Sequence, residues 1–293
     1  MIYRSTDLIF AGILIFVSCQ KETNLLNTPL GNNDLKLKKF VILDTTKPAQ
    51  ADTFIVYNFI YDELDRCTQI TKWTAGFYDT ITTYTNYFYN GTDTLITKIK
   101  HTYPSAQFVE YLTYNNDGQI TKDSVLTYAG NYVGSILVNT YQIYGDSIIS
   151  TVDYTSNGAT NPYTKGTFLL EKESTRNIIH EKDTMHIYGD PFPETSMTYT
   201  IEYDNNICPF YKLFPQRLVE NNYGSVYNDE VPLYFSVFQK NNIVSERRGA
   251  LPSGSSDVDF VTYSYQYNTN LYPDIVVYNN MLTGQKLKGL FYY

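Results

Sequence analysis

Charge is scarce in this chain of 293 residues: Asp, Glu, Lys and Arg make up 18% of it, against roughly a quarter in an average soluble domain. The charge present leans acidic, with a formal net charge of −8 and a pI near 4.9. That balance argues against a nucleic-acid footprint, which needs a basic face. Cysteines number three, and none stands in a C-x-x-C pair or a Cys/His cluster, so zinc is not indicated. The apolar run Leu8 to Val17 is ten residues long, half of the ~20 that a membrane-crossing helix needs. The sequence has no G-x-S-x-G elbow, phosphate loop, dinucleotide fingerprint or H-E-x-x-H motif. It therefore offers no catalytic constellation and no cofactor site.

Aromatic and β-branched residues and Asn are abundant. The chain holds 30 Tyr, 16 Phe and one Trp, with 34 Thr and 25 Asn. Rings and β-branched side chains fit a pleated, half-buried surface and Asn fits turns, so the expectation is all-β, neither a helical bundle nor a disordered chain.

The first 18 residues read as a processing segment. Arg4 precedes the apolar run, which ends in Phe16-Val17-Ser18-Cys19. This resembles the lipobox of bacterial lipoproteins, in which the signal peptidase cleaves before a Cys that is then acylated. The resemblance implies lipid attachment at Cys19, and multiple acyl chains would anchor firmly where one binds reversibly. Gln20-Lys21-Glu22 follows and resembles the export tag of surface lipoproteins in the Bacteroidetes. The domain reading is a signal peptide over 1–18, a flexible tether over 19–38 and one β domain over 39–293. The expected location is the outer membrane, lipid-anchored, on its periplasmic or cell-surface face. Of the other cysteines, Cys67 and Cys208 are open to a bridge or to two isolated buried thiols.

Period-2 alternation recurs along the body, as in Val261-Thr262-Tyr263-Ser264-Tyr265-Gln266-Tyr267. Strands close at positions 61, 89, 114, 144, 170, 203, 238 and 267, and Gly, Asn or Asp follows most of them. A period near 30 marks a hairpin array. The expectation is an antiparallel meander of about eight hairpin repeats forming a long, twisted and curled sheet, with a closed barrel or a propeller-like arrangement as the alternative. Tyr114 to Ile120 (Y-N-N-D-G-Q-I) resembles the core of the YD repeats of bacterial shell and surface proteins; Tyr61 to Arg66 (Y-D-E-L-D-R) matches with Asp65 where Gly is expected. A closer likeness is to Bacteroidetes lipoproteins of unknown function carrying degenerate YD-like hairpins. That resemblance implies a long meander and no catalytic residues.

Candidate sites are few. His180 and His186 lie six apart, about 20 Å along a strand and too far to share a metal. Asp62, Asp117, Asp146 and Asp204 fall at hairpin tips, where Asp serves the turn. Trp73 is the candidate ligand contact, because an aromatic ring can stack on a sugar. Asp-Thr or Asp-Ser followed by an aliphatic residue resembles the O-glycosylation acceptor of Bacteroides-type bacteria, and Thr80, Thr94 and Ser124 are the best placed. Thr, Asn, Ser and charges interrupt both faces of many strands, which argues against a membrane-spanning barrel. The leading functional expectation is a non-enzymatic binding or scaffolding module whose partner, beyond the membrane holding its anchor, is a glycan or another envelope protein. The alternative is a carbohydrate hydrolase using a carboxylate pair.

Overall fold

The computed structural model describes residues 35–46, 52–75, 80–130, 132–144, 147–156, 164–172, 178–187, 195–210, 213, 241–251 and 259–293. The signal segment, Cys19 and most of the expected tether lie outside them. Among the described residues the secondary structure is β1 (Lys39–Asp44), β2 (Asp52–Tyr61), β3 (Cys67–Ala75), β4 (Thr80–Tyr89), β5 (Ile96–Thr102), β6 (Gln107–Tyr114), β7 (Ile120–Ala129) and β8 (Tyr132–Tyr144). Then follow β9 (Ser147–Ser156), β10 (Thr164–Lys172), β11 (Ile178–Ile187), β12 (Thr195–Ile207), β13 (Asn241–Leu251), β14 (Asp259–Tyr267), β15 (Pro273–Asn280) and β16 (Lys286–Tyr292).

Every strand pairs antiparallel with its neighbours in sequence, the expected all-β meander. The curl runs further than an open sheet, for β1 pairs with β16 from Lys39↔Tyr292 to Asp44↔Leu287 and the sheet closes. Closure removes the two edges that a free meander would have to protect. One repeat also differs from expectation. The strand expected to close at 203 runs on to Ile207, which pairs with Asn241 of β13. The strand expected to close at position 238 lies outside the described residues.

Alternation places one face of each strand inside. Phe40, Ile42, Tyr57, Ile70, Ile99, Val276 and Leu287 are buried there, and burial of such side chains is worth about 1.5–3 kcal/mol apiece. Phe210, just beyond β12, is packed among them, with ring centroids 5.3 Å from Phe40, 6.3 Å from Phe59 and 5.8 Å from Phe291. Leu37 is 2% exposed, and the compact unit runs from Leu35 to Tyr293. Gly289 is demanded by this packing, because a Cβ there would stand 2.6 Å from Phe40 and 2.7 Å from Val276.

Three hairpins share one turn. Asp62, Asn115 and Asn268 each donate a backbone N–H to the carbonyl four residues on, those of Arg66, Gln119 and Tyr272. Their side-chain oxygens accept from the amides two and four residues ahead, so an Asx side chain organises the loop. The fourth residue of each turn has positive φ: Asp65 at 65°, Gly118 at 75° and Leu271 at 63°. Asp65, where the YD pattern has Gly, takes the conformation that Gly would.

Candidate functional site

Two surfaces deserve comparison, the inner face and the outer face of β3 to β8. Inside, Thr85 faces His101, and the Thr85 hydroxyl lies 3.1 Å from His101 Nδ1. Register carries the polar track onward. Glu110 on β6 pairs with Ile99 and Val125, and Asp123 on β7 pairs with Leu112 and Asn139. Asp123 accepts from Asn139 Nδ2 at 2.7 Å and from the Tyr141 hydroxyl at 2.5 Å. Glu110 and Asp123 are diagonal neighbours on adjacent strands, about 7–8 Å apart between Cα atoms. Both are 3% exposed. Charged groups buried to this depth are tolerated where polar partners surround them, and Asp123 has them. The arrangement is a buried polar seam inside an apolar lining.

Sequence reasoning missed this seam. In the sequence Asp123 figures only as the acid preceding the acceptor candidate Ser124. The signal that could have found it is alternation itself: Glu110 and Asp123 stand in phase with Phe108, Leu112 and Val125, the inward positions of their strands.

Outside, the same strands present rings and cations. Phe88, Lys98, Tyr111 and Ser124 form one lateral row across β4 to β7. The Lys98 ammonium lies 5.2 Å from the Phe88 ring centre and 5.7 Å from that of Tyr111, within cation–π range. Tyr84, Phe88 and Tyr111 are each more than two-fifths exposed. Lys100 is a diagonal neighbour of Tyr111 across β5–β6, and Lys122 is one across β6–β7. Between the rings stand Gln69, Thr71 and Asn86, with Gln69 Nε2 donating to Asn86 Oδ1 at 2.7 Å. Strands that face lipid carry a continuous apolar band about 25 Å tall; this face has polar groups at every level. Among the described residues no helix is long and apolar enough to cross a membrane, which says nothing of strands.

Trp73 points to this outer face, opposite Thr82 and paired on its other side with Val56. It is a diagonal neighbour of Tyr84 and stands six residues along the sheet from the Phe88 row, about 20 Å. Thr80 is exposed at the start of β4, and Thr94 is exposed in the β4–β5 turn. Ser124 is half-buried mid-strand beside Tyr111. The remaining candidates are structural. Cys67 and Cys208 are buried in the core and are not joined by a disulfide. Asp62 and Asp117 sit in turns, where the Asp62 carboxylate accepts backbone amides; Asp204, expected at a tip, lies within β12 and accepts from the Asn206 amide; Asp146 lies outside the described residues. His180 and His186 both fall on β11. Among the described residues no group of three His, Cys, Asp or Glu could hold a metal ion.

No family model and no curated protein matches this sequence. Solved structures do resemble it. A porin-like protein from Bacteroides vulgatus superposes with a TM-score of 0.56 at 12% identity, over 89% of this chain and 99% of that one. A porin-like protein from Bacteroides uniformis gives a TM-score of 0.48 at 16% identity, over 87% of this chain and 96% of that one. The first likeness extends over nearly the whole of both chains and is one of fold.

Proposed function

We propose that this chain is a non-enzymatic binding module of the bacterial cell envelope, tethered to the outer membrane through an acylated Cys19. It recognises a glycan through the outer face of β3 to β7. The observation that carries the reading is the group of exposed rings on outward positions of regular strands, Tyr84, Phe88 and Tyr111, with the half-buried Trp73 beside Tyr84. Aromatic faces on a rigid sheet are pre-organised for stacking on sugar rings, and little side-chain freedom remains to be lost on binding. The lipobox-like Phe16-Val17-Ser18-Cys19 and the fold shared with a porin-like Bacteroides protein support the envelope location. The word porin in that protein's name does not carry over here, because the inward face is lined by packed rings around Phe210 and the described outer face is studded with polar groups.

The test is a glycan array probed with the full chain in detergent, beside Tyr84→Ala and Tyr111→Ala variants. Binding by the wild type that drops at least fivefold in either variant supports the reading. An array blank for the wild type, or variants as active as the wild type, contradicts it. Incorporation of labelled palmitate into the wild type and not into Cys19→Ala tests the anchor.

A further inference from the structure

We infer that the ligand of this outer face is an acidic polysaccharide, one whose sugars carry carboxylates, and that Tyr111 with Lys98, Lys100 and Lys122 forms its central subsite. The inference rests on the glycan reading above and goes beyond it by fixing the charge of the ligand. The chain as a whole carries a net charge of −8, yet the outward positions of β4 to β7 hold three lysines and no carboxylate. The acids nearest in sequence are directed elsewhere. Glu110 and Asp123 occupy inward positions and are buried, while Asp93 and Asp117 stand in hairpin turns. Among the described residues the ion pairs join Lys36 to Asp65 and Arg66 to Asp62. Lys98, Lys100 and Lys122 form no salt bridge with a carboxylate among the described residues, and their ammonium groups are open to a partner outside the fold.

Geometry ties that charge to the rings. Lys98 is directly opposite Tyr111, Lys100 and Lys122 flank it diagonally on either side, and the Lys98 ammonium rests against both Phe88 and Tyr111. A pyranose ring stacked on Tyr111 would thus have cations on two of its edges, within reach of a ring carboxylate. A neutral glycan gains nothing from such an arrangement and leaves three ammonium groups unmatched. An excess of one sign in a patch also steers oppositely charged polymers and makes the encounter salt-dependent. Ser124, the neighbour of Tyr111 on β7, adds a corollary: a glycan attached there would cover the subsite.

The experiment uses the full chain in detergent with polygalacturonate, its methyl ester and neutral dextran as probes. Expected is binding of polygalacturonate that weakens at least tenfold between 50 and 300 mM salt, about as screening of exposed charges requires. The methyl ester, with the same backbone and no charge, should bind at least tenfold more weakly. Lys98→Gln and Lys100→Gln should each lose roughly threefold to fivefold, the scale of one exposed ion pair, and Tyr111→Ala more. Equal binding of the acid and its ester, or lysine variants that bind as the wild type does, would overturn the charge assignment while leaving the glycan reading intact. A chain that binds none of the probes and no array glycan would overturn both. Vesicles of phosphatidylglycerol form a further arm. Retention on them that depends on Lys98, with no polygalacturonate binding, would reassign the patch to the membrane surface and overturn the proposal. Far-UV circular dichroism of each variant confirms that the sheet is retained.

Discussion

The Tyr89 hydroxyl donates a hydrogen bond of 2.7 Å to the carbonyl of Cys67, 22 residues earlier in the chain. The same bond recurs around the barrel. Tyr61 donates to Leu37 at 2.7 Å, Tyr114 to Ile96 at 2.6 Å, Tyr265 to Ile243 at 3.0 Å and Tyr293 to Pro273 at 2.9 Å. Each phenol reaches a carbonyl near the start of the preceding strand, within two residues of its first position, so the repeated Tyr latches one hairpin to the one before it. Replacing any of these by Phe keeps the ring and strands the carbonyl. The expected cost is about 1 kcal/mol each, read as a lower urea midpoint at unchanged slope.

Burial pushes the hydroxyls of Tyr61, Tyr89, Tyr265 and Tyr293 well above the ordinary phenol range. Neighbouring cysteines, Cys67 for the first two and Cys208 for the last two, push in the same direction. The unfolded chain then releases these protons first, so it binds fewer than the native state and stability falls as pH rises. Stability should be flat through neutrality and decline above about pH 10, the ordinary value for Tyr. Tyr61→Phe and Tyr89→Phe should each flatten that decline in denaturant titrations between pH 8 and 11.

Arg66 joins two hairpin tips. Its guanidinium pairs with Asp62, donates to the carbonyls of Gly91 at 2.8 Å and Asp93 at 2.6 Å, and lies 4.5 Å from the centre of the Tyr89 ring. Arg66→Ala should cost about 1–3 kcal/mol, as for hydrogen bonds made by a charged group. At Asp62 partial burial works to raise the carboxyl, but amides and the guanidinium of Arg66 and the Leu64 amide outweigh it and hold the group below its ordinary value. A depressed carboxyl contributes stability above the unfolded value and loses it as pH falls through the folded one. Wild type and Asp62→Asn should therefore differ at pH 6 and converge toward pH 2 in thermal melts.

Gly289 and Phe40 occupy the same space. The Cβ of an Ala at 289 would meet two atoms of the Phe40 ring and one of Val276 at 2.6–2.8 Å, and Phe40 is hemmed in by Phe210 and Phe291. Gly289→Ala should destabilise by about 1–3 kcal/mol through overpacking. Gly91→Ala, with open space around it, should cost less, and only through its positive φ of 56°.

Much of this architecture was legible in the residues. Alternation in Val261 to Tyr267 and the Tyr-Asx tips located the strands and turns, since period 2 and Asx chemistry are local properties. Closure was not legible, because Lys39↔Tyr292 pairing joins the two ends of the fold and leaves no local trace. Nor was the break in the repeat after Ile207, where the polar run Asp204-Asn205-Asn206 imitates a hairpin tip yet continues as strand. The outer site was half visible. Trp73 drew attention as the sole Trp, whereas the grouping of Tyr111 with three lysines exists only once β5, β6 and β7 lie in register.

That the outer surface does the work, and not a channel through the barrel, is checked most directly by planar-bilayer conductance of the purified full chain. We predict no stepwise current at any protein concentration that leaves the bilayer intact. Reproducible ohmic steps from the wild type, weakened when Phe210 is replaced by a charged residue, would contradict the account.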